Sequence, residues 1–386
     1  MRTILLNVLM LILFTCSCSR GAASASSTDT ATVSSDSIVS NKPAKATLYF
    51  VGDAMQHQAQ LDQAKSLGNG VDYDYSECFG LISPIVKNAD YAIVNLEVPL
   101  GGGKGGYTGF PCFSAPDAFA EALKDAGFDL FLTANNHTLD RRDYGLRRTL
   151  TVLDSLKVDR IGTYANNADR MQKVPFIKDI NGIKVAFLNY TYGTNGISAR
   201  DGAEVSLIDR DAMAREIAAS RRNGAELVVV CVHWGEEYKL RENASQRNLA
   251  QFLLEQGTDM IIGGHPHVIQ PMKMVDNPST GKKSLIVYSL GNFISNMKTG
   301  DTRGGASVTC TIERDEQGVA RLTDASYDTF YACKPTGKND NFKVIPASMA
   351  DCIPASQTGW WNTFNNAAHR IFSQYNKGVS CTSAAH

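Results

Sequence analysis

The sequence predicts an α/β layered fold, and three observations carry that prediction. Short, uninterrupted apolar runs recur at 48–51, 91–95, 130–132, 185–188, 227–232, 260–262 and 285–288. They lack polar alternation, as strands covered on both faces do. Between them lie stretches with apolar residues at three- and four-residue spacing, and this alternation is what helices packed on a sheet require. The composition agrees: 43% of the residues are hydrophobic and 20% are charged, which excludes wholesale disorder. The 386 residues fit two domains of ~150 residues or one large one. Lys plus Arg is 38 against 39 for Asp plus Glu, so there is no basic excess to hold a nucleic-acid backbone. The longest apolar run is short and N-terminal, which excludes a multi-spanning membrane protein.

Taken in order, residues 1–18 read as a signal peptide, with Arg2 ahead of an apolar run over 4–14 that is too short to span a bilayer. The run ends at Cys16 and Cys18, and a cysteine there resembles a bacterial lipoprotein cleavage site. Cys18 is favoured over Cys16 for lipidation, and an ordinary secretory signal is the alternative. Residues 19–46 are Ser-rich with no aromatic residue, and read as a disordered tether. A domain is expected over 47–330.

Within it, helices are predicted at 116–126, 144–156, 209–222 and 245–256. The first has a proline at its start and Gly127 past its end. A hairpin is expected from 307–313 and 319–327 around the turn at 315–318. Residues 331–386 are expected to form a C-terminal extension packing on the main domain, with Trp360, Trp361 and Phe364 in a helical cap. No CxxC pair occurs. Cys333, Cys352 and Cys381 are disulfide candidates in an exported chain, whereas Cys231, inside a valine run, reads as a buried small hydrophobe.

Five of the seven histidines, His57, His137, His233, His265 and His267, fall at the ends of predicted strands, where layered α/β folds build their sites. The same strand ends carry Asp53, Asn95, Glu97, Asn136 and Asp140. Carboxylate, amide oxygen and imidazole are ligands for Mn²⁺, Fe²⁺ and Zn²⁺. The set is too large for one tetrahedral ion. It suits two divalent ions bridged by a carboxylate, ~3.5–4 Å apart, activating water for attack on phosphorus or a carbonyl.

Six segments in order, Gly52-Asp53, Asn95-Leu96-Glu97, Ala134-Asn135-Asn136-His137 with Leu139-Asp140, His233-Trp234-Gly235, Gly263-Gly264-His265-Pro266-His267 and Tyr288 to Phe293, resemble the signature of the CapA family. That family is associated with poly-γ-glutamate capsule synthesis. The resemblance covers about 48–294. It implies the fold of the calcineurin-like metallophosphatases: four layers, αββα, with two mixed sheets face to face and helices outside. It also implies roles. Asp53 and His267 hold a first metal, joined by His57 if that side chain reaches it. Glu97 bridges both ions, standing where the wider superfamily uses Asp. Asn136, His233 and His265 hold the second. His137 faces the substrate as phosphate-binding donor or general acid with Asp140 orienting it, and Arg141 and Asn292 line the pocket. The wider superfamily begins Asp-x-His, whereas Asp53 and His57 are four apart.

Two functions follow as expectations. One is an exported, lipid-anchored hydrolase with two divalent ions, acting on a phosphoester or an amide of a γ-linked polymer, alongside capsule synthesis machinery. The other is a non-catalytic pocket that binds or exports an anionic polymer. Both place the protein at a membrane, periplasmic or at the cell surface, and neither involves nucleic acid.

Overall fold

A computed structural model describes residues 42–382. The expected signal peptide, both N-terminal cysteines and most of the tether lie outside these residues. The chain opens with β1 (Ala44–Ala54), α1 (Gln58–Leu67), the short α2 (Ser83–Val86), β2 (Tyr91–Leu96), α3 (Asp117–Ala126), β3 (Leu130–Leu132), α4 (Arg142–Ser155) and β4 (Asp159–Ile161). It continues through β5 (Thr163–Tyr164), α5 (Asn167–Lys173), β6 (Phe176–Ile180), β7 (Ile183–Thr191), β8 (Glu204–Val205), α6 (Arg210–Arg222), β9 (Leu227–His233), α7 (Ala244–Glu255) and β10 (Met260–Gly264). The remainder is β11 (Met272–Asp276), β12 (Lys283–Val287), β13 (Asn292–Ile294), β14 (Gly304–Arg314), β15 (Ala320–Cys333), β16 (Lys343–Pro346), α8 (Thr358–Tyr375) and β17 (Ser380–Cys381).

Two mixed sheets result. One runs β16-β15-β14-β1-β2-β3-β4, with β13 beside β1 and β17 beside β15. The other runs β11-β12-β10-β9-β7-β6. Strand period decides the layers, because alternate side chains leave opposite faces. Leu48 and Phe50 of β1 meet Leu227 and Val229 of β9 in the core between the sheets. Tyr49 and Val51 turn outward onto Phe119 and Leu123 of α3. Val228 and Val230 turn outward onto Met213 and Ile217 of α6 and Leu249 and Leu253 of α7. The order is therefore helix, sheet, sheet, helix. Burial on both faces explains why these strands read as continuous apolar runs.

The helices begin and end on local chemistry. The Asp209 side chain accepts from the Ala212 amide at 2.8 Å, capping α6. Asn243 and Gln246 exchange bonds at the start of α7. Gly127, at φ 113°, closes α3 in the left-handed conformation.

Residues 44–46, expected in the tether, already belong to β1, where they pair with β14. The expected boundary at 330/331 falls inside β15, so the C-terminal segment is continuous with the first sheet. In α8, Trp361, Phe364 and Phe372 join the inner core, while Trp360 is exposed. Cys231 is buried in that core. Cys333 and Cys352, two of the three disulfide candidates, are free thiols. Cys381 pairs in register with Tyr327. No helix among the described residues is long and apolar enough to cross a membrane.

Phe293 of β13 ties the outer core together. Its ring stacks on Phe79 at 5.5 Å and meets Phe128 and Phe330 edge-on at 5.2 and 5.4 Å. Phe293→Ala is expected to cost about 3–5 kcal/mol of unfolding free energy in a denaturant titration. A loss below about 1 kcal/mol would show that this cluster does not hold the layer.

Candidate metal centre

The carboxyl ends of β1, β2, β3, β9 and β10 point into one crevice between the sheets. Parallel pairing sets this: Asp53 lies in register with Asn95 on β2 and with Asn292 on β13, and Gly264 pairs with His233. Close approach needs small residues here. A Cβ on Gly52 would sit 1.8 Å from the Gly291 carbonyl oxygen, and one on Gly264 would sit 2.8 Å from Asp53 Oδ1.

The Asp53 carboxylate accepts from Asn95 Nδ2 at 2.7 Å and from the His265 amide at 3.2 Å. His267 Nδ1 stands 3.4 Å from Asp53 Oδ2. Glu97 lies 3.4 Å from His233 Nε2 and 3.9 Å from His267 Nε2. His233 Nε2 is also 2.8 Å from Asn136 Oδ1. Asn95 therefore spans Asp53 and His233, since its amide nitrogen is 3.4 Å from His233 Nδ1. His265 and His267 hold φ of 96° and 58°, a conformation that L side chains rarely adopt and that clusters at functional sites.

Ligand atoms converge in three groups, each within 4.8 Å: Glu97 with His233 and His265; Asp53 with Glu97 and His267; and Glu237 with His265 and His267. Glu97 belongs to the first two, the two groups whose members are all buried, while His265 and His267 each also occur in two groups. Both Glu97 carboxylate oxygens, and His265 Nδ1, are buried without a hydrogen-bond partner. Buried polar atoms are nearly always paired, so these three orphans mark where a cation fits. The donor set of carboxylates, an amide oxygen and imidazoles suits a divalent ion of the Mn, Fe or Zn kind.

Electrostatics follow from burial and from like and unlike neighbours. Burial, with the Asp53 charge beside it, raises the Glu97 carboxyl well above its usual range. Burial alone would also raise Asp53. The hydrogen bond from His267 and the charges of His233 and His267 reverse this and hold it below the carboxylate range. Burial lowers His233 to about 3 and His265 to about 2, so both keep neutral, ligating imidazoles at pH 7. Burial would lower His267 too, but Glu97 and Asp53 together raise it to about 9.

His57 stands apart from all three groups. It precedes α1, its amide donates to Gln60 Oε1 at 2.9 Å, and its Nδ1 accepts from the Asn296 amide at 3.2 Å. Arg141 reaches the loop at 106–108, where it donates to Thr108 Oγ1 at 2.6 Å. Asn292 is fully buried and acts on His267: its Oδ1 accepts from Nδ1 at 3.0 Å while Nδ2 donates to the His267 and Thr302 carbonyls. Asn292→Ala is expected to weaken metal affinity ~10–100-fold in a metal titration, as loss of a ligand's supporting bond does. Unchanged affinity would remove it from that role.

His137 holds a different position. Its Nδ1 donates to Asp140 Oδ2 at 2.8 Å, Phe113 packs edge-on at 4.6 Å, and the Phe113 amide donates to the same Asp140 oxygen at 2.8 Å. The ring is thereby fixed through Nδ1, leaving Nε2 as its other nitrogen.

Three residues went unread in the sequence. Glu237 follows His233 by four positions and joins the third group. Tyr192 packs on His265 at 4.6 Å, and Asn195 accepts from Asn136 Nδ2 at 3.3 Å. The last two follow β7, a buried strand whose end faces the same crevice, and that was the available signal.

A sequence profile of the family described as bacterial capsule synthesis protein PGA_cap matches residues 47–297. The capsule biosynthesis protein CapA of Bacillus anthracis is 31% identical over 273 residues, 68% of this chain and 63% of that protein, so the match spans less than two thirds of that relative. The PGA biosynthesis protein CapA of Bacillus subtilis (strain 168) is 27% identical over 304 residues, 76% of this chain and 74% of that protein. Among solved structures, Haemophilus influenzae NAD nucleotidase aligns at TM-score 0.47 and 12% identity over 88% of this chain and 64% of that chain. The calcineurin-like phosphoesterase YfkN from Bacillus subtilis aligns at TM-score 0.42 and 11% identity over 86% of this chain and 99% of that one.

Proposed function

The chain belongs to the bacterial capsule synthesis (CapA) family, and from that premise we propose that it is a hydrolase using two divalent ions, acting on a phosphoester or on an amide of a capsule polymer. The observation that carries the reading is Glu97: one fully buried carboxylate, both oxygens without a partner, common to two ligand groups. Asp53 and His267 complete one side, and His233, His265 and the Asn136 oxygen complete the other. When bound, a pair of divalent ions supplies Lewis-acid activation of water and neutralises charge in the displacement.

The chain's own groups supply the rest. His233 and His265 stay neutral and present lone pairs. Asp53 stays ionised, its charge held by Asn95 and the His265 amide. Asp140 holds the His137 ring so that Nε2 can protonate the leaving oxygen or nitrogen. Tyr192 and Tyr238 stand exposed at the rim, each beside a buried histidine.

An exported, lipid-anchored location is part of the same proposal and rests on the N-terminal sequence alone. Mass spectrometry of the mature N-terminus from untreated cells expressing the chain, with globomycin-treated cells checked for uncleaved precursor, tests it. A lipidated Cys18 or Cys16 is the expected result, and an unmodified N-terminus overturns it.

The hydrolase reading is tested by turnover of a phosphodiester and of a γ-glutamyl amide with Mn²⁺ supplied. Metal-dependent release from either is expected. No release from either, with tight binding of an acidic polymer, favours the non-catalytic pocket instead.

A further inference from the structure

A second polar cavity, of about 380 Å³, is lined by Lys298, Arg303 and Lys334 together with Tyr331 and Trp360, and no carboxylate lines it. Arg303 is 2% exposed. Its guanidinium donates to the backbone carbonyls of Met297 and Ala332 and lies over the Tyr331 ring. A buried charge is normally matched by an opposite one, and among the described residues none is matched to Arg303. Burial, with the charges of Arg303 and Lys298, pushes the Lys334 ammonium below its ordinary value.

Gln357, which precedes the 18-residue α8, and Trp360 in its first turn close the same cavity. A helix N-terminus adds partial positive charge. Lys298 also lines a neighbouring cavity of about 600 Å³ with His57, Phe110 and Tyr238, and the Tyr238 ring lies 6.3 Å from His267. Lys298 thus lines both cavities, and the second has Tyr238 on its wall beside His267 of the metal centre. Arg303, Lys334 and Trp360 all lie beyond residue 297, where the family match ends.

We propose that the pocket of Lys298, Arg303, Lys334 and Trp360 binds an acidic group, carboxylate or phosphate, of a chain carrying repeated anionic groups, while another part of that chain reaches the metal centre. The chain's being a substrate rests on the hydrolase reading; its binding here does not. A ligand whose one anionic group is held at the metal centre leaves this pocket empty, whereas a repeating one can place a second group here.

Equilibrium binding to the full chain, by calorimetry and by Trp360 fluorescence, separates the cases. The probes are an oligoglutamate and an inorganic polyphosphate, and the variant is Lys298→Gln with Lys334→Gln, which leaves buried Arg303 in place. Wild type is expected to bind at least one probe, and the double variant to bind it about tenfold or more weakly, since hydrogen bonds to charged groups are being lost. Turnover of p-nitrophenyl phosphate, a small substrate, should stay within about twofold. Preference for oligoglutamate identifies a carboxylate site, and preference for polyphosphate a phosphate site. Equal binding by wild type and variant overturns the proposal, as does no binding of either probe to wild type. Failure of the hydrolase reading has a different signature: lysine-dependent binding persists, with no turnover by wild type.

Discussion

Glu97→Met is expected to stabilise the metal-free protein while abolishing its response to metal. The two effects share one cause. Glu97 is fully buried, and neither carboxylate oxygen has a hydrogen-bond partner. Leaving such a group unsatisfied costs about 1–3 kcal/mol, and methionine fills a similar volume with no polar oxygen. Metal-free Glu97→Met should therefore gain about 1–3 kcal/mol in urea unfolding. Saturating Mn²⁺ stabilises any protein that binds it only when folded, by about 2.7 kcal/mol at a hundredfold excess over Kd. Wild type should show that shift and Glu97→Met should not, because the two fully buried ligand groups lose their common member and the third group relies on the exposed Glu237. A variant less stable than wild type without metal, or one that keeps the shift, contradicts the assignment.

His137→Ala is expected to lower turnover about 10²–10⁴-fold, the usual contribution of a positioned general acid or base, at unchanged metal content. His137 belongs to none of the three ligand groups, and its Nδ1 is engaged by Asp140 at 2.8 Å. Elemental analysis and turnover on one preparation test both halves. Asp140→Asn should fall between wild type and His137→Ala, since the ring remains but loses its orienting carboxylate. Equal turnover of His137→Ala and wild type removes His137 from the reaction. Loss of metal from His137→Ala makes it a ligand instead.

Much of this was legible because burial writes itself into sequence. Strands such as β9 and β10 are covered on both faces, so they appear as unbroken apolar runs. Their ends mark the crevice, and Asp53, Glu97, Asn136, His233, His265 and His267 do meet there. What stayed hidden has physical reasons. The short strands β4, β5 and β8 hold two or three residues each, too few for a period to show. The segment from β15 through α8 mixes exposed and buried positions, so it reads as irregular although Trp361 and Phe364 enter the core. Chain spacing gives no reach: β1 stays extended to Ala54, and His57 then sits at the start of α1, committed to Asn296 and outside the ligand groups. A buried amide reads as a pocket residue in sequence, yet Asn292 turns out to hold an imidazole. The basic pocket was illegible because Lys298, Arg303 and Lys334 lie in loops and Trp360 in α8, far apart in the chain, and they follow no motif.

Anomalous diffraction from crystals grown with Mn²⁺ addresses the metal centre directly. Two peaks ~3.5–4 Å apart, with Glu97 touching both, Asp53 and His267 on one and Asn136, His233 and His265 on the other, is the predicted map. One peak, no peak, or two peaks with Glu97 touching neither contradicts it.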